Sequence, residues 1–499
     1  MSADSSPDLC VLGGGPGGLS LALGAAACGR SVVLVEKGTL GGRRLTDAIP
    51  RHALLAASRA ATLARGASAF GIAIPEPQID FTRVSQHAAA VLAAIAPNYS
   101  QARLEAMNVK VICAPGRFTH PDTCEAGGEK IKARRFVVAT GSVERILPIP
   151  GLDLVRPINC AGLCALEHPP QRLIVIGADP DGLALAQAMR RLGSETIVLA
   201  EEELFVSEDK ELTASVRAAF ARDGVVIHED VRITRVEPRS DGVRVFIAAA
   251  GHEKRVVGSH ILIAAGRSPA IDGLGLAAAN VRYNGNGIAT TGASLVTSNR
   301  RIHAIGAAAR IGRQGSDAEQ HANLVLRAIL GLPGGRTHRQ VAARVILTSP
   351  AMATAGLMEA QARAAHRHIH VLRWPFAETE RARIEHRAGG HVKLVTSRDG
   401  GLLGAGIVGP GAEELINLFT LAISKGMTVS DIAALTVPYP ALADAARRAA
   451  MMFRDSRLDT PLGRFLIELT RSIEQQTHKF RELAGFLAGK ARQVFRSPT

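Results

Sequence analysis

The chain has 499 residues, 47% of them hydrophobic and 21% charged, the balance of a soluble globular protein with about two to four domains. Aromatic residues are only 4% and Trp374 is the sole tryptophan, which argues against a surface that stacks nucleic-acid bases. The net charge of +14 is spread along the chain without a long basic run, so it favours anionic ligands or acidic lipids and no nucleic-acid partner is expected.

No window approaches the roughly 18 consecutive apolar residues of a membrane span. The start, "MSADSSPDLCVLGGGPGG", enters a strand almost at once and has no basic leader or cleavage site, which points to the cytoplasm. Residues 8–12, "DLCVL", read as a buried strand. "GGGPGGLSLALGAAACG" turns into a helix, and "SVVLVEK" (31–37) is a second strand. Gly13, Gly15 and Gly18 form G-x-G-x-x-G between strand and helix. The first permits a tight turn, the second lets backbone approach a pyrophosphate, and the third allows close helix packing. The helix N-terminus supplies the positive end of a dipole. Glu36 ends the second strand, near the offset of about 20 residues expected for a carboxylate on a ribose hydroxyl.

"LGGRRLTDAIPRHALLA" (40–56) follows, with Arg43, Arg44, Arg51 and His52 close together. "FVVATGS" (136–142) is another strand with a small-residue turn. "INCAGLCALEHPP" holds the one close cysteine pair, Cys160 and Cys164. Neither these nor the other four cysteines form a C-x-x-C motif, so zinc and disulfide frameworks are not expected and no metal centre is assigned. The pair reads as two small buried residues; a relocated redox pair is the competing reading.

"RLIVIGADPDGLALAQAMRRLGSETIVLAEEE" (172–203) repeats strand, glycine turn, helix, strand. "HILIAAGRSP" (260–269) and "RIHAIGAAA" (301–309) are further strands into small-residue turns. After about residue 346 the pattern changes. "HVKLVTSRDGGLLGAGIVG" (391–409) reads as an antiparallel hairpin turning at "RDGG". Helices follow in "AEELINLFTLAISKG" and "PALADAARRAAMMF". The fold class is therefore α/β, with two Rossmann-like dinucleotide-binding domains and a C-terminal α+β module. The expected boundaries are 6–152 and 271–345 for the first, discontinuous domain, 153–270 for the second, and 346–455 for the third. A basic extension, 456–499, carries Leu462, Phe465, Leu466, Leu469, Ile473, Phe480 and Leu487 near helical spacing. It reads as an amphipathic helix that packs on the chain's own surface or dimer; peripheral attachment to a membrane or partner is the other reading.

Taken together, "GGGPGG…VEK", "IPRHALL", "ATGS…PIPG", "VIGADPDG…RLGS", "AAGRSP", "IHAIG" and "LLGAGIVG" resemble the pyridine nucleotide-disulfide oxidoreductases of the mercuric reductase and dihydrolipoamide dehydrogenase type, over residues 8–455. The resemblance implies FAD in the first unit, a nicotinamide dinucleotide in the second, and a homodimer. It assigns Gly13, Gly15, Gly18, Glu36, Lys37, Gly42, Gly116, Thr140, Gly141, Gly306 and Ala307 to FAD. It assigns Gly177, Asp179, Gly182, Glu201 and Gly266 to NAD. Ala307 replaces the family's ribityl-binding aspartate, a lost bond worth about 1.5–3 kcal/mol. Asp179 stands at the second glycine position, where a like charge about 4 Å from a phosphate costs about 4 kcal/mol. NAD(H) binding is therefore expected to be weakened, with Glu201 favouring NAD over NADP.

The departures at the redox centre are coordinated. The family's G-G-T-C-L-N-x-G-C-I-P-S-K becomes "GGRRLTDAIPRH", with Arg44 and Ala48 at the cysteine positions and His52 at the lysine. The lysine's glutamate partner becomes Ala184. The C-terminal His-Pro-x-x-x-Glu becomes Tyr439-Pro440 and Asp444. His52, Arg44, Tyr439 and Asp444 are the candidate catalytic groups, in a basic segment expected to receive an anion or donate a proton. The favoured reading of these arginines is the plainer one, that they fill volume and face solvent or FAD phosphates. The expected activity is an FAD-dependent oxidoreductase, NADH its favoured donor, with a non-disulfide acceptor such as a quinone, a small anion or a carrier protein. The alternative is a degenerate flavoprotein serving as a subunit or docking scaffold.

Overall fold

The computed structural model describes residues 6–249, 252–292, 294–309, 315–332 and 341–453, with 468–469 and 471–473. The expected extension, 456–499, lies outside the described residues apart from those last few helical positions. No helix among the described residues is long and apolar enough to cross a membrane.

The fold is mixed α/β. Its first sheet is parallel, in the order Ile302–Ala304, Arg135–Val138, Leu9–Leu12, Val32–Val35, Val109–Ile112. These strands are short, almost continuously apolar, and buried on both faces, as helix-covered parallel strands are. Leu9–Leu12 sits between the strands that run off to either side. Its carboxyl end is therefore the topological switch point at which such sheets bind ligands. The helix Pro16–Ala27 starts there, with proline at its first position. It packs so closely on the helix Gly315–Ile329 that a Cβ on Gly17 would lie 2.8 Å from the Ala318 carbonyl oxygen.

The second sheet repeats the design with four parallel strands, Val226–His228, Glu195–Leu199, Arg172–Ile176 and His260–Ile263. The third is antiparallel, in the order Ala343–Ile346, Ala351–Gly356, Leu402–Gly409, His391–Ser397, Ile369–Pro375. The hairpin read from "RDGG" is its centre, and the helix Ala412–Lys425 covers it with Ile416, Phe419 and Ala422 buried.

A Cβ at residue 18 would stand 1.9 Å from the Gly13 carbonyl oxygen, a backbone atom that cannot move aside. Gly18→Ala is therefore expected to destabilise the chain by more than the about 1–3 kcal/mol of ordinary overpacking. A lower urea midpoint reads this directly, and an unchanged midpoint would contradict it.

Candidate functional site

At the end of Leu9–Leu12 the chain reverses through Gly13, at φ +110°. Glu36 emerges from the neighbouring strand and folds back over this turn. Its Oε2 accepts from the Gly14 N–H at 2.6 Å and its Oε1 from the Gly38 N–H at 2.7 Å. One lone pair per oxygen stays available to a hydroxyl. Gly15 caps the following helix without any side-chain hydrogen bond, and a Cβ built on it would meet nothing within 4 Å. Gly141, at φ +70°, also faces open space. Beside it Thr140 Oγ1 is buried without a hydrogen-bonding partner. An open cradle at a helix N-terminus and an orphaned buried hydroxyl fit an elongated polar ligand along this sheet edge. Gly42 closes over Gly15, and Gly306 sits at φ +61° against Ala318. Ala307 is half-buried, Gly116 opens the strand Gly116–His120, and Lys37 is exposed.

The segment after Gly42 forms a wide turn of π type, in which the Ile49 N–H donates to the Arg44 carbonyl, and runs on into the helix Ile49–Arg65. Its side chains do not form the basic pocket expected from their sequence. Arg43 is paired to Asp47, Arg51 Nη1 lies 3.1 Å from Asp47 Oδ1 and 2.6 Å from Asp181 Oδ2, and Arg43 Nη2 reaches the same Asp181 at 3.4 Å. Burial alone would raise the Asp47 carboxyl, but Arg51 and Arg43 outweigh it and hold it below the usual carboxylate range. Arg267 lies close enough to act on Asp47 and Asp179, and burial, then Arg43, lowers its pKa. The cluster Arg43, Arg51, Arg267, Asp47, Asp179 and Asp181 is thus charge-compensated.

Arg44 departs from the expected anion pocket in the same way. Its guanidinium lies 2.7 Å from Glu319 Oε1 and donates to the Tyr99 hydroxyl at 3.3 Å. His52 points outward on the exposed helix face, its Nδ1 2.6 Å from the Ala48 carbonyl oxygen. Ala184 is buried against Leu55 and Ala188. The ion pair missing from positions 52 and 184 has a counterpart nearby in Arg51–Asp181. Sequence reasoning missed Asp47 and the pairing of Asp181 with Arg51 and Arg43. The i, i+4 spacing of Arg43–Asp47 and Asp47–Arg51 was the available signal.

In the second glycine turn, Gly177 has φ +103°, and Asp179 is the N-cap of the helix Pro180–Arg191. The Asp181 N–H donates to Asp179 Oδ1 at 2.8 Å. Burial, then the charge of Asp181, pushes the Asp179 carboxyl up. Gly182 packs on Ala264, Gly266 has φ +79°, and Glu201 is exposed beyond the strand Glu195–Leu199.

Cys160 and Cys164 begin and end a short helix, and all six cysteines are free thiols. Cys160 Sγ lies 3.7 Å from the Asp47 carbonyl oxygen. The neighbouring Cys164 thiol, then burial, drives the Cys160 thiol far above its ordinary range, the property of an inert thiol. Tyr439 is 81% exposed. Asp444 does not turn to it: Arg447 and Arg448 both donate to its carboxylate, at 2.8 and 2.6 Å.

The family described as "Pyridine nucleotide-disulphide oxidoreductase" matches residues 7–322, and its dimerisation domain matches residues 342–450. The dihydrolipoyl dehydrogenase of Thermus scotoductus is 32% identical over 450 residues, 89% of this chain and 96% of that protein. The mercuric reductase of Streptomyces lividans is 31% identical over 464 residues, 91% and 97% of the two chains. Among solved structures, LpdA from Mycobacterium tuberculosis aligns with a TM-score of 0.81 at 26% identity, covering 89% of this chain and 98% of that one. With these matches spanning both parallel sheets and the antiparallel module, the chain belongs to the pyridine nucleotide-disulphide oxidoreductase family.

Proposed function

We propose that the chain is an FAD-dependent oxidoreductase that passes electrons between its flavin and an acceptor that is not a disulfide. The observation that carries this reading is the contrast between an open first turn and a compensated redox segment. Gly13, Gly15, Gly18, Glu36, Gly42, Thr140 and Gly141 retain what an FAD site needs: a cradle at a helix N-terminus, a carboxylate for ribose, and an orphaned hydroxyl. Gly306 and Ala307 extend this edge toward the flavin end, where Ala307 offers no acceptor to the ribityl chain. FAD, when bound, supplies the two-electron chemistry. The chain's own residues bind and orient it, while Arg43, Asp47, Arg51 and Asp181 set the charge of the segment beside it.

At positions 44 and 48 stand Arg and Ala, and Cys160 is buried with its thiol proton held firmly. These substitutions and the protonated Cys160 support a reading in which this segment runs no thiol–disulfide exchange. Tyr439, exposed to solvent, and Asp444, engaged by two arginines, form no acid–base pair of the histidine type. The homodimer is supported by the dimerisation-domain match.

The test is reoxidation of the dithionite-reduced, FAD-loaded protein. A quinone is expected to restore the flavin spectrum rapidly and a small disulfide is not. Equal rates with both would overturn the non-disulfide reading, and a protein that takes up no FAD would overturn the flavoenzyme reading. The scaffold reading is favoured by one observation, the mutual neutralisation of Arg43, Asp47, Arg51 and Asp181, and it predicts that no acceptor reoxidises the flavin faster than oxygen does.

A further inference from the structure

The two glycine turns are internal copies, so each serves as the other's control. Gly13 and Gly177 have φ of +110° and +103°. A Cβ on Gly13 would lie 2.4 Å from the Ala139 carbonyl oxygen, and one on Gly177 2.2 Å from that of Ala264. Both helices begin with a proline, Pro16 and Pro180. The backbone scaffold is thus the same in both. The difference lies at the N-cap. Gly15 leaves its helix N-terminus without a side-chain partner and faces open space. Asp179 places its own carboxylate on the equivalent terminus, accepting the Asp181 N–H. The carboxylate also approaches the facing turn, where a Cβ on Gly266 would come within 3.9 Å of Asp179 Oδ2. Asp181, the next carboxylate along, is held by Arg51 and Arg43 from the redox segment.

We infer that Asp179 is a built-in occupant of the second turn: its carboxylate takes the place of a dinucleotide pyrophosphate and closes this unit to NADH and NADPH. A bound pyrophosphate would have to displace the Asp179–amide bond and sit against a half-buried carboxylate. Asp179 is in this sense a specificity-determining residue. Through it the family's nicotinamide donor is excluded from the second unit. The inference concerns the second turn alone and stands whether or not the first holds FAD.

The test is calorimetric titration of the full-length chain with NADH and NADPH, FAD present in excess so that the first turn does not take the titrant. FAD's own binding heat, measured beforehand, reports separately on the flavoprotein reading. The wild-type chain is expected to show no saturation up to about 1 mM. Asp179→Gly is expected to saturate at least about 100-fold lower. Asp179→Asn keeps the capping oxygen and removes the charge, so it is expected to tighten binding by at least about tenfold. Micromolar saturation of the wild type overturns the inference. So does a failure of both variants to tighten binding while keeping the wild-type melting transition. If Asp179→Gly does not fold, Asp179→Asn decides alone.

Discussion

Lys393→Met is expected to lower the stability of the folded chain by about 3 kcal/mol at neutral pH, as a drop in the urea midpoint. Lys393 is 2% exposed in the strand His391–Ser397. Its Nζ lies 2.9 Å from Asp209, 2.8 Å from Glu211 and 2.8 Å from Glu359. Arg373 completes the group, donating to Glu211 and Glu359. Asp209 and Glu211 belong to the second parallel unit, at the start of the helix Lys210–Asp223. Glu359, Arg373 and Lys393 belong to the antiparallel module. The cluster therefore ties one unit to the other. Removing its central cation leaves three carboxylates facing each other, with Arg373 on Glu211 and Glu359 and Arg363 on Glu359 alone. Glu211 is 43% exposed, so water takes up part of its charge and the loss sits at the lower end of the about 3–5 kcal/mol for a broken buried pair. A midpoint change worth less than about 1 kcal/mol would show that the cluster does not hold the units together.

The same cluster sets an acid limb. The hydrogen bond from Arg373, outweighing burial and joined by Lys393, holds Glu211 at about 2 against an ordinary 4.5. Lys393, then Arg363, holds Glu359 below its ordinary value. A carboxyl depressed in the folded state stabilises it above the unfolded pKa and loses that contribution as pH falls through the folded one. Stability is therefore expected to fall between about pH 4.5 and pH 2. In Lys393→Met the carboxyls are less depressed, so this limb is expected to be shallower. Denaturation midpoints at several pH values measure both slopes, and parallel slopes would contradict the assignment.

Arg51→Ala is expected to cost about 2 kcal/mol. The side chain of Arg51 is 8% exposed and bridges Asp47, on its own segment, to Asp181, on the helix Pro180–Arg191. Asp181 is 45% exposed, which keeps the cost below that of a fully buried pair. Asp181→Ala alone is expected to cost less, because Arg51 retains Asp47. In a double-mutant cycle the Arg51–Asp181 coupling is expected at about 1–2 kcal/mol. Additive costs would mean that the pair does not join the two units. Arg51→Lys is expected to recover only part of the loss, since one ammonium cannot match the planar fork facing two carboxylates.

Much of the fold was legible because it rests on local patterns. Two strand–glycine–helix units and the hairpin at "RDGG" are spelled out in residues close in sequence, and each formed where read. The antiparallel strands Arg232–Arg239, Gly242–Ala249 and His252–Gly258 went unread, although the alternation in "RITRVEPR" and "GVRVFIAA" and the turn at Asp241-Gly242 carried the signal. The site was harder because its determinants are long-range pairings. A row of arginines reads as a basic patch until Asp181, more than a hundred residues away, is placed against it. Lys393 in "HVKLV" similarly gives no hint of three carboxylates drawn from two other segments. The exposure of His52 followed from helix phase: Leu54 and Leu55 face the core, and residue 52 lies off that face.

The proposed function has the flavin pass electrons directly to the acceptor, without a dithiol as a second redox group. Anaerobic dithionite titration of the FAD-loaded protein tests it most directly. Flavin alone takes up two electrons, whereas flavin with a redox disulfide takes up four. Full bleaching at two electrons per flavin is the predicted result. An end point at four electrons, returning to two in a Cys160→Ser, Cys164→Ser variant, would contradict it and place a working dithiol beside Asp47.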